Sequence, residues 1–206
     1  MRDEKIGDFL ARLADRVPAP GGGASAALHA AQAAALLGMV ARYSTGEKYA
    51  EHQPTIERII TRTDELCSVA LQLAEDDAAA FTAVTDAYRL PKDTDAARAD
   101  RSAAIAAALV SAAEPPAAVI SAAQAAVELA EELLPIGNRN VITDIAAAAE
   151  AARAAATTAR VNVEINLGGI KDQQAHVELA AEAGKVDDIA AQAEQITAAV
   201  RQEIAR

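Results

Sequence analysis

An all-α, single-domain bundle of about six long helices over residues 1–206 is the fold the sequence predicts, and three observations predict it. Positions spaced alternately by four and three residues, Ile56, Ile60, Thr63, Cys67, Ala70, Ala74, Asp77, Phe81, Val84 and Tyr88, form one seam of apolar or small residues. It lasts about nine turns, the signature of a helix that buries one face. No strand pattern of useful length competes, since Val161 to Ile165 alternates but adjoins a helical tract with no turn between. The 52 % hydrophobic content is dominated by alanine, with two Phe, three Tyr and no Trp. Alanine favours helix but buries little area, so stability must come from close packing over long contacts and from a second subunit.

The elements follow in order. Ile6, Phe9, Leu10 and Leu13 share a face of a first helix over about residues 3–16, which Pro18 and Pro20 end. Gly21, Gly22 and Gly23 open a second, alanine-rich helix that runs to Tyr43 and is stopped by Ser44, Thr45 and Gly46. Pro54 suits the first turn of a third helix, which reaches Arg89 before Leu90-Pro91-Lys92 breaks it. Asp93 or Thr94 caps a fourth, extending to about Leu134 with an interruption or kink at Pro115-Pro116. After a loop from Pro135 to Asn140, Thr143 or Asn140 caps a fifth helix that reaches about Asn166. A last amphipathic helix spans about Asp172 to Ile204.

A net charge of −11 argues against a nucleic-acid surface, which needs a basic stripe, but leaves room for an anionic small molecule held by local cations. Cys67 stands alone on the seam and reads as a core residue in a reducing compartment. The N-terminal stretch lacks the apolar core of a signal peptide, and Ala24 to Val40 carries Ser25, His29 and Gln32, so it reads as a buried helix and not a membrane span. A cytoplasmic protein without membrane contact is expected. His29, His52 and His176 share no metal-binding spacing, so no metal is expected, and neither a G-x-S-x-G nor a P-loop sequence is present.

Asp77 is the anomaly of the seam. A carboxylate at such a position must be paired, neutralised or held at an altered pKa, and on spacing alone a structural pair is the first reading. The glycines at 21–23 leave N–H groups at a helix start unshielded, a place for an anion or a carbonyl oxygen, although Pro-Gly-Gly-Gly is also an ordinary turn. Asp144 reads as a first-turn residue complementing the helix dipole. Yet Asp144, Ala148, Ala151, Ala155, Thr158, Asn162 and Ile165 form a second four-three seam, which points a carboxylate and an amide toward the same interior as Asp77.

Six segments in order, PAPGGGASAAL at 18–28, Thr45-Gly46-Glu47-Lys48-Tyr49, DDAAAF at 76–81, LPKDT at 90–94, GNRNVITD at 137–144 and NVEINL at 162–167, resemble the cyclodeaminase domain of formiminotransferase-cyclodeaminase and the stand-alone methenyltetrahydrofolate cyclohydrolases similar to it. The resemblance implies an all-helical homodimer or larger assembly, with sites near the subunit interface, acting on one-carbon forms of tetrahydrofolate. It makes Asp77 the catalytic carboxylate and Asp144 its partner, with Thr143 where serine is usual. It makes Pro20, Gly21, Gly22, Gly23, Lys48, Lys92, Asn138 and Asn140 the candidates for substrate contact. Glu47 departs from the basic residues usual after the loop glycine, which leaves Lys92 and Arg101 to share recognition of the substrate's glutamate tail.

The expected reaction is hydrolysis of 5,10-methenyltetrahydrofolate to 10-formyltetrahydrofolate, with no cofactor beyond the folate substrate. The alternative is cyclodeamination of formiminotetrahydrofolate with release of ammonia. A non-enzymatic helical oligomerisation scaffold is the reading of another class; it accounts for the alanine seams but not for Asp77, the triglycine or GNRN.

Overall fold

The computed structural model describes residues 1–205. Among them it contains seven α-helices, α1 (Ile6–Ala14), α2 (Gly22–Tyr43), α3 (Gln53–Arg89), α4 (Asp95–Leu133), α5 (Ile142–Leu167), α6 (Gln173–Gly184) and α7 (Val186–Ile204). Turns of 3-10 helix at Glu47–His52 and Arg139–Val141 precede α3 and α5, and no strand is present among the described residues. The expected last helix is therefore two. The two are parted at Lys185, which keeps a helical backbone, φ −72° and ψ −16°, while its N–H bonds the Glu182 carbonyl three residues back at 3.2 Å.

α2 lies at the centre, packed against α3, α4 and α5, while α6 and α7 close the bundle over α4 and α5. Small side chains set this arrangement. Ala24, Ala26, Ala27, Ala30, Ala33, Ala34 and Ala41 of α2 are all fully buried. Gly38 lets α3 approach so closely that a Cβ there would stand 2.9 Å from the buried Thr63 hydroxyl. Larger anchors, Leu37, Ile56, Ile59, Ile120, Leu133 and Ile145, fill the spaces that alanine leaves.

The fourth helix runs through both prolines, contrary to the expected interruption. The fixed proline φ suits a helix, and the cost is the lost bonds to the carbonyls of Ser111 and Ala112. Ser111 is exposed, so water can reach that turn, while Pro115 and Pro116 themselves are buried against the core. Thr94 caps α4 as expected, its hydroxyl accepting from the Ala97 N–H at 3.1 Å. Neither Thr143 nor Asn140 caps α5. Instead Asn138 Oδ1 accepts from the Asn140 N–H at 3.0 Å and caps the 3-10 turn before it.

By length and composition two helices could cross a membrane, α2, with 61 % of its apolar window buried in the bundle, and α4, with 28 %. The second was not anticipated, and it marks a distinctive feature. α3 and α4 are 37 and 39 residues long against 22 for α2, so they overshoot it by roughly 20 Å at 1.5 Å per residue. The end of α3 and the start of α4 thus form a projecting helical arm. The α3 seam is buried at Ile56, Thr63, Ala70 and Ala74 and half-buried at Ile60 and Cys67, but past Asp77 it emerges, with Phe81 49 % and Tyr88 52 % exposed. Leu109, against Gly169, and Ser102, which accepts from Lys171 Nζ at 3.3 Å, tie the arm to the α5–α6 connection.

Candidate active site

Asp77 stands where the arm leaves the bundle, opposite the first turn of α2. Its carboxyl occupies the space that a side chain at Gly23 would need: a Cβ there would fall 1.9 Å from Asp77 Oδ1, 2.4 Å from Cγ and 2.7 Å from Oδ2. Among the described residues Asp77 has no cationic partner, so the structural ion pair that spacing alone favoured is not what holds it. What it meets is the N-terminus of α2. Gly21, the N-cap residue, offers no side chain, and the acid from α3 takes the place of the missing cap.

The electrostatics follow from this placement. Burial raises the pKa of the Asp77 carboxyl, and the backbone N–H of Ala24 pulls it part of the way back. The net displacement is upward, toward a group that holds and releases a proton nearer neutrality than an ordinary aspartate does. Asn162 of α5 completes the corner. A Cβ at Gly22 would lie 3.7 Å from its Nδ2 and 3.9 Å from its Oδ1, so the adjacent glycines touch the two polar side chains, one each. Pro20, preceded by a cis peptide bond, is buried behind this turn.

A second set of predicted residues gathers at the opposite end of α2. Ser44, fully buried, donates to the Val40 carbonyl at 2.7 Å and accepts from the Asn138 N–H at 2.8 Å. Asn138 Nδ2 donates to the Tyr43 carbonyl at 2.8 Å. The 44–49 loop and the 137–144 loop are thereby fastened together beside a cavity of about 320 Å³ lined by Ser44, Gly46, Glu47, Tyr49 and Gln53. Gly46 has φ +97°, a backbone that any other residue would adopt only with strain. Lys48 is exposed, its ammonium 5.3 Å from the Tyr49 ring, and Asn140 is also exposed. Asp144 is half-buried in the first turn of α5.

Asp144 and Asp77 therefore do not face one interior within a chain. Asn162 shares the corner with Asp77, and Asp144 lies eighteen residues earlier on the same helix, roughly 27 Å away. Lys92 sits at the far tip of the arm, exposed, its carbonyl accepting from Arg98 Nη1 at 3.0 Å. Arg101 holds the arm together, donating to the Tyr88 carbonyl from Nη2 at 3.0 Å and lying 5.6 Å from that ring. Glu75 accepts from the Met1 ammonium at 3.1 Å and the Arg2 N–H at 3.2 Å, tying the start of the chain to α3.

In the sequence Ser44 reads only as a helix stop, and the second seam sets Asn162 on the face toward Asp77 without pairing it with the triglycine. Counting helical rise finds the pairing of Gly23 with Asp77. α2 and α3 are antiparallel through the 44–52 connection, which sets Gly23 level with Asp77.

Fold and site together define a class, an all-helical protein with one partly buried carboxyl, free of a cationic partner, set at a helix N-terminus. Over residues 5–185 the chain matches the formiminotransferase-cyclodeaminase family, and it belongs to that family. It is 37 % identical over 172 residues to a methenyltetrahydrofolate cyclohydrolase of Methylorubrum extorquens, covering 83 % of each chain. It is 32 % identical to a formimidoyltransferase-cyclodeaminase of Mus musculus, with 82 % of this chain covering 32 % of that longer one. The crystal structure of a formiminotetrahydrofolate cyclodeaminase from Thermotoga maritima superposes with a TM-score of 0.87 at 29 % identity, covering 100 % of this chain and 99 % of that one.

Proposed function

We propose that this chain is a cytoplasmic enzyme of one-carbon folate chemistry that hydrolyses 5,10-methenyltetrahydrofolate to 10-formyltetrahydrofolate, with Asp77 as its proton carrier. The observation that carries the reading is the carboxyl packed against Gly23, its pKa raised by burial and free of any cationic partner. The relatives named above support the substrate class, and they disfavour a non-enzymatic scaffold.

The bridging carbon of the substrate is part of a cationic amidinium and is already electrophilic, so the reaction calls for no metal and no cofactor beyond the folate itself. Ionised Asp77 takes a proton from water as the oxygen adds to that carbon. It then gives the proton to N5 as the carbon–N5 bond breaks, and the remaining hydroxyl proton is lost to solvent as the formyl group forms on N10. One proton is released overall. A pKa above the ordinary aspartate range suits both halves of this shuttle.

Asp144, Lys48, Asn138 and Asn140 enter the reading through a second copy. Within one chain they lie some 27 Å or more from Asp77 by helical rise. A two-fold contact between antiparallel α2 helices sets the loop end of one protomer against the Asp77 end of its partner. Exposed or half-exposed apolar residues on α2 and α5 support such a contact, namely Leu36, Met39, Tyr43, Val161 and Ile165. Asp144 then stabilises the substrate cation, while Lys92 and Arg101 attract the glutamate tail.

Cyclodeamination is the second reading, favoured by the Thermotoga maritima likeness. There N10 attacks the formimino carbon and ammonia leaves. The test follows the loss of methenyl absorption on adding purified protein, then offers formiminotetrahydrofolate and measures ammonia. Consumption of the first compound with no ammonia from the second is the expected result; ammonia release instead establishes the second reading, and no turnover of either sinks both.

A further inference from the structure

Beside the reacting carboxyl the structure places a neutral acceptor whose role is still open. Asn162 Nδ2 donates to the Thr158 carbonyl one turn earlier at 2.9 Å, and because that carbonyl can only accept, the amide is fixed with its nitrogen on that carbonyl. Its Oδ1 accepts no hydrogen bond among the described residues. No buried side-chain nitrogen or oxygen lacks a partner among them either, so Oδ1 reaches open space. Asn166 Nδ2 in turn donates to the Asn162 carbonyl at 2.8 Å, which steadies the same turn of α5. Both amides are half-buried.

This geometry suits recognition better than proton transfer. An amide oxygen does not exchange protons near neutral pH, and it adds no negative charge beside Asp77, where a second carboxylate would raise the Asp77 pKa further. A reduced pterin, by contrast, carries several ring N–H groups that need acceptors once they leave water. The adjacent glycines remove the side chains that would otherwise stand between α2 and such a ring: Gly22 is exposed, with Asn162 at its side, and Gly23 borders Asp77.

We infer that Asn162 is a substrate-contacting residue, its Oδ1 accepting from a ring N–H of the reduced pterin. The inference rests on the folate reading above. Replacing Asn162 by alanine removes the acceptor, keeps a good helix former and loses only a side-chain bond to α5's own backbone.

The experiment measures KM and kcat for 5,10-methenyltetrahydrofolate, and the Kd of tetrahydrofolate by calorimetry, for wild type and Asn162→Ala. A rise in KM and in Kd of about tenfold, with kcat within about twofold and an unchanged melting temperature, is expected for the loss of one substrate hydrogen bond. Unchanged KM and Kd overturn the inference, and so does a fall in kcat with KM and Kd unmoved. If wild type neither turns over the methenyl compound nor binds tetrahydrofolate, the functional reading fails and the inference fails with it. Normal wild-type behaviour with an indifferent variant defeats the inference alone.

Discussion

Gly23→Ala adds a single methyl group, and the structure fixes where it goes. The new Cβ would stand 1.9 Å from Asp77 Oδ1, whereas ordinary contact begins near 3.4 Å, so the carboxyl must retreat by about 1.5 Å or α2 and α3 must part. Misplacement of a reacting group by about 1 Å costs on the order of 100-fold in rate. Turnover should therefore fall by at least about that factor. The stability cost of overpacking, about 1–3 kcal/mol, is partly offset by up to about 1 kcal/mol from the better helix propensity of alanine. The variant should thus remain folded, and methenyl absorption with denaturant melts reads both quantities. A cycle sharpens the test, because in an Asp77→Ala background the carboxyl is gone and alanine at 23 should cost no stability. Gly23→Ala turnover within about twofold of wild type, or an equal stability cost in both backgrounds, would refute the geometry.

The raised pKa of Asp77 also makes a stability prediction. Its folded pKa exceeds the unfolded one, so its contribution is full below the unfolded value, near about 3.9, and is lost as pH rises through the folded value. Asp77→Asn should therefore be more stable than wild type at pH 7, and the gap should close on acidification; denaturant melts across that range check it. Ser44→Ala leaves the Asn138 N–H without its buried acceptor and should cost about 1–3 kcal/mol, seen as a lowered melting temperature. If the site is shared between copies, mixing inactive Asp77→Asn and Asp144→Ala subunits under exchanging conditions should restore about a quarter of wild-type turnover. No recovery in proven mixed dimers would confine the site to one chain.

Much of this was legible in the residues. The four-three seams, the proline and glycine stops and the Thr94 cap mark the helices well, because alanine-rich segments with strong punctuation leave few alternatives. Asp77 stood out because one charge in an otherwise apolar seam is costly. Axial position was harder to read. A four-three spacing tells which face a residue shares, not which end of a helix it occupies, and on that ground Asp144 was grouped with Asp77. The emergence of Phe81 and Tyr88 escaped for a related reason, since burial along α3 depends on where α2 ends. The proline pair in α4 misled because local propensity was outweighed by packing of both rings against the core. The break at Lys185 has only Gly184 as its signal, in a segment whose backbone stays helical throughout.

The most direct measurement is the pH dependence of methenyltetrahydrofolate hydrolysis by wild type and Asp77→Asn. Wild-type turnover should rise through an apparent pKa above the ordinary aspartate range as the carboxyl ionises. The variant should lose about 10²–10⁴-fold in kcat and with it that limb of the profile. An Asp77→Asn enzyme that turns over at the wild-type rate, with the same pH profile, would contradict the assignment of Asp77 as the proton carrier.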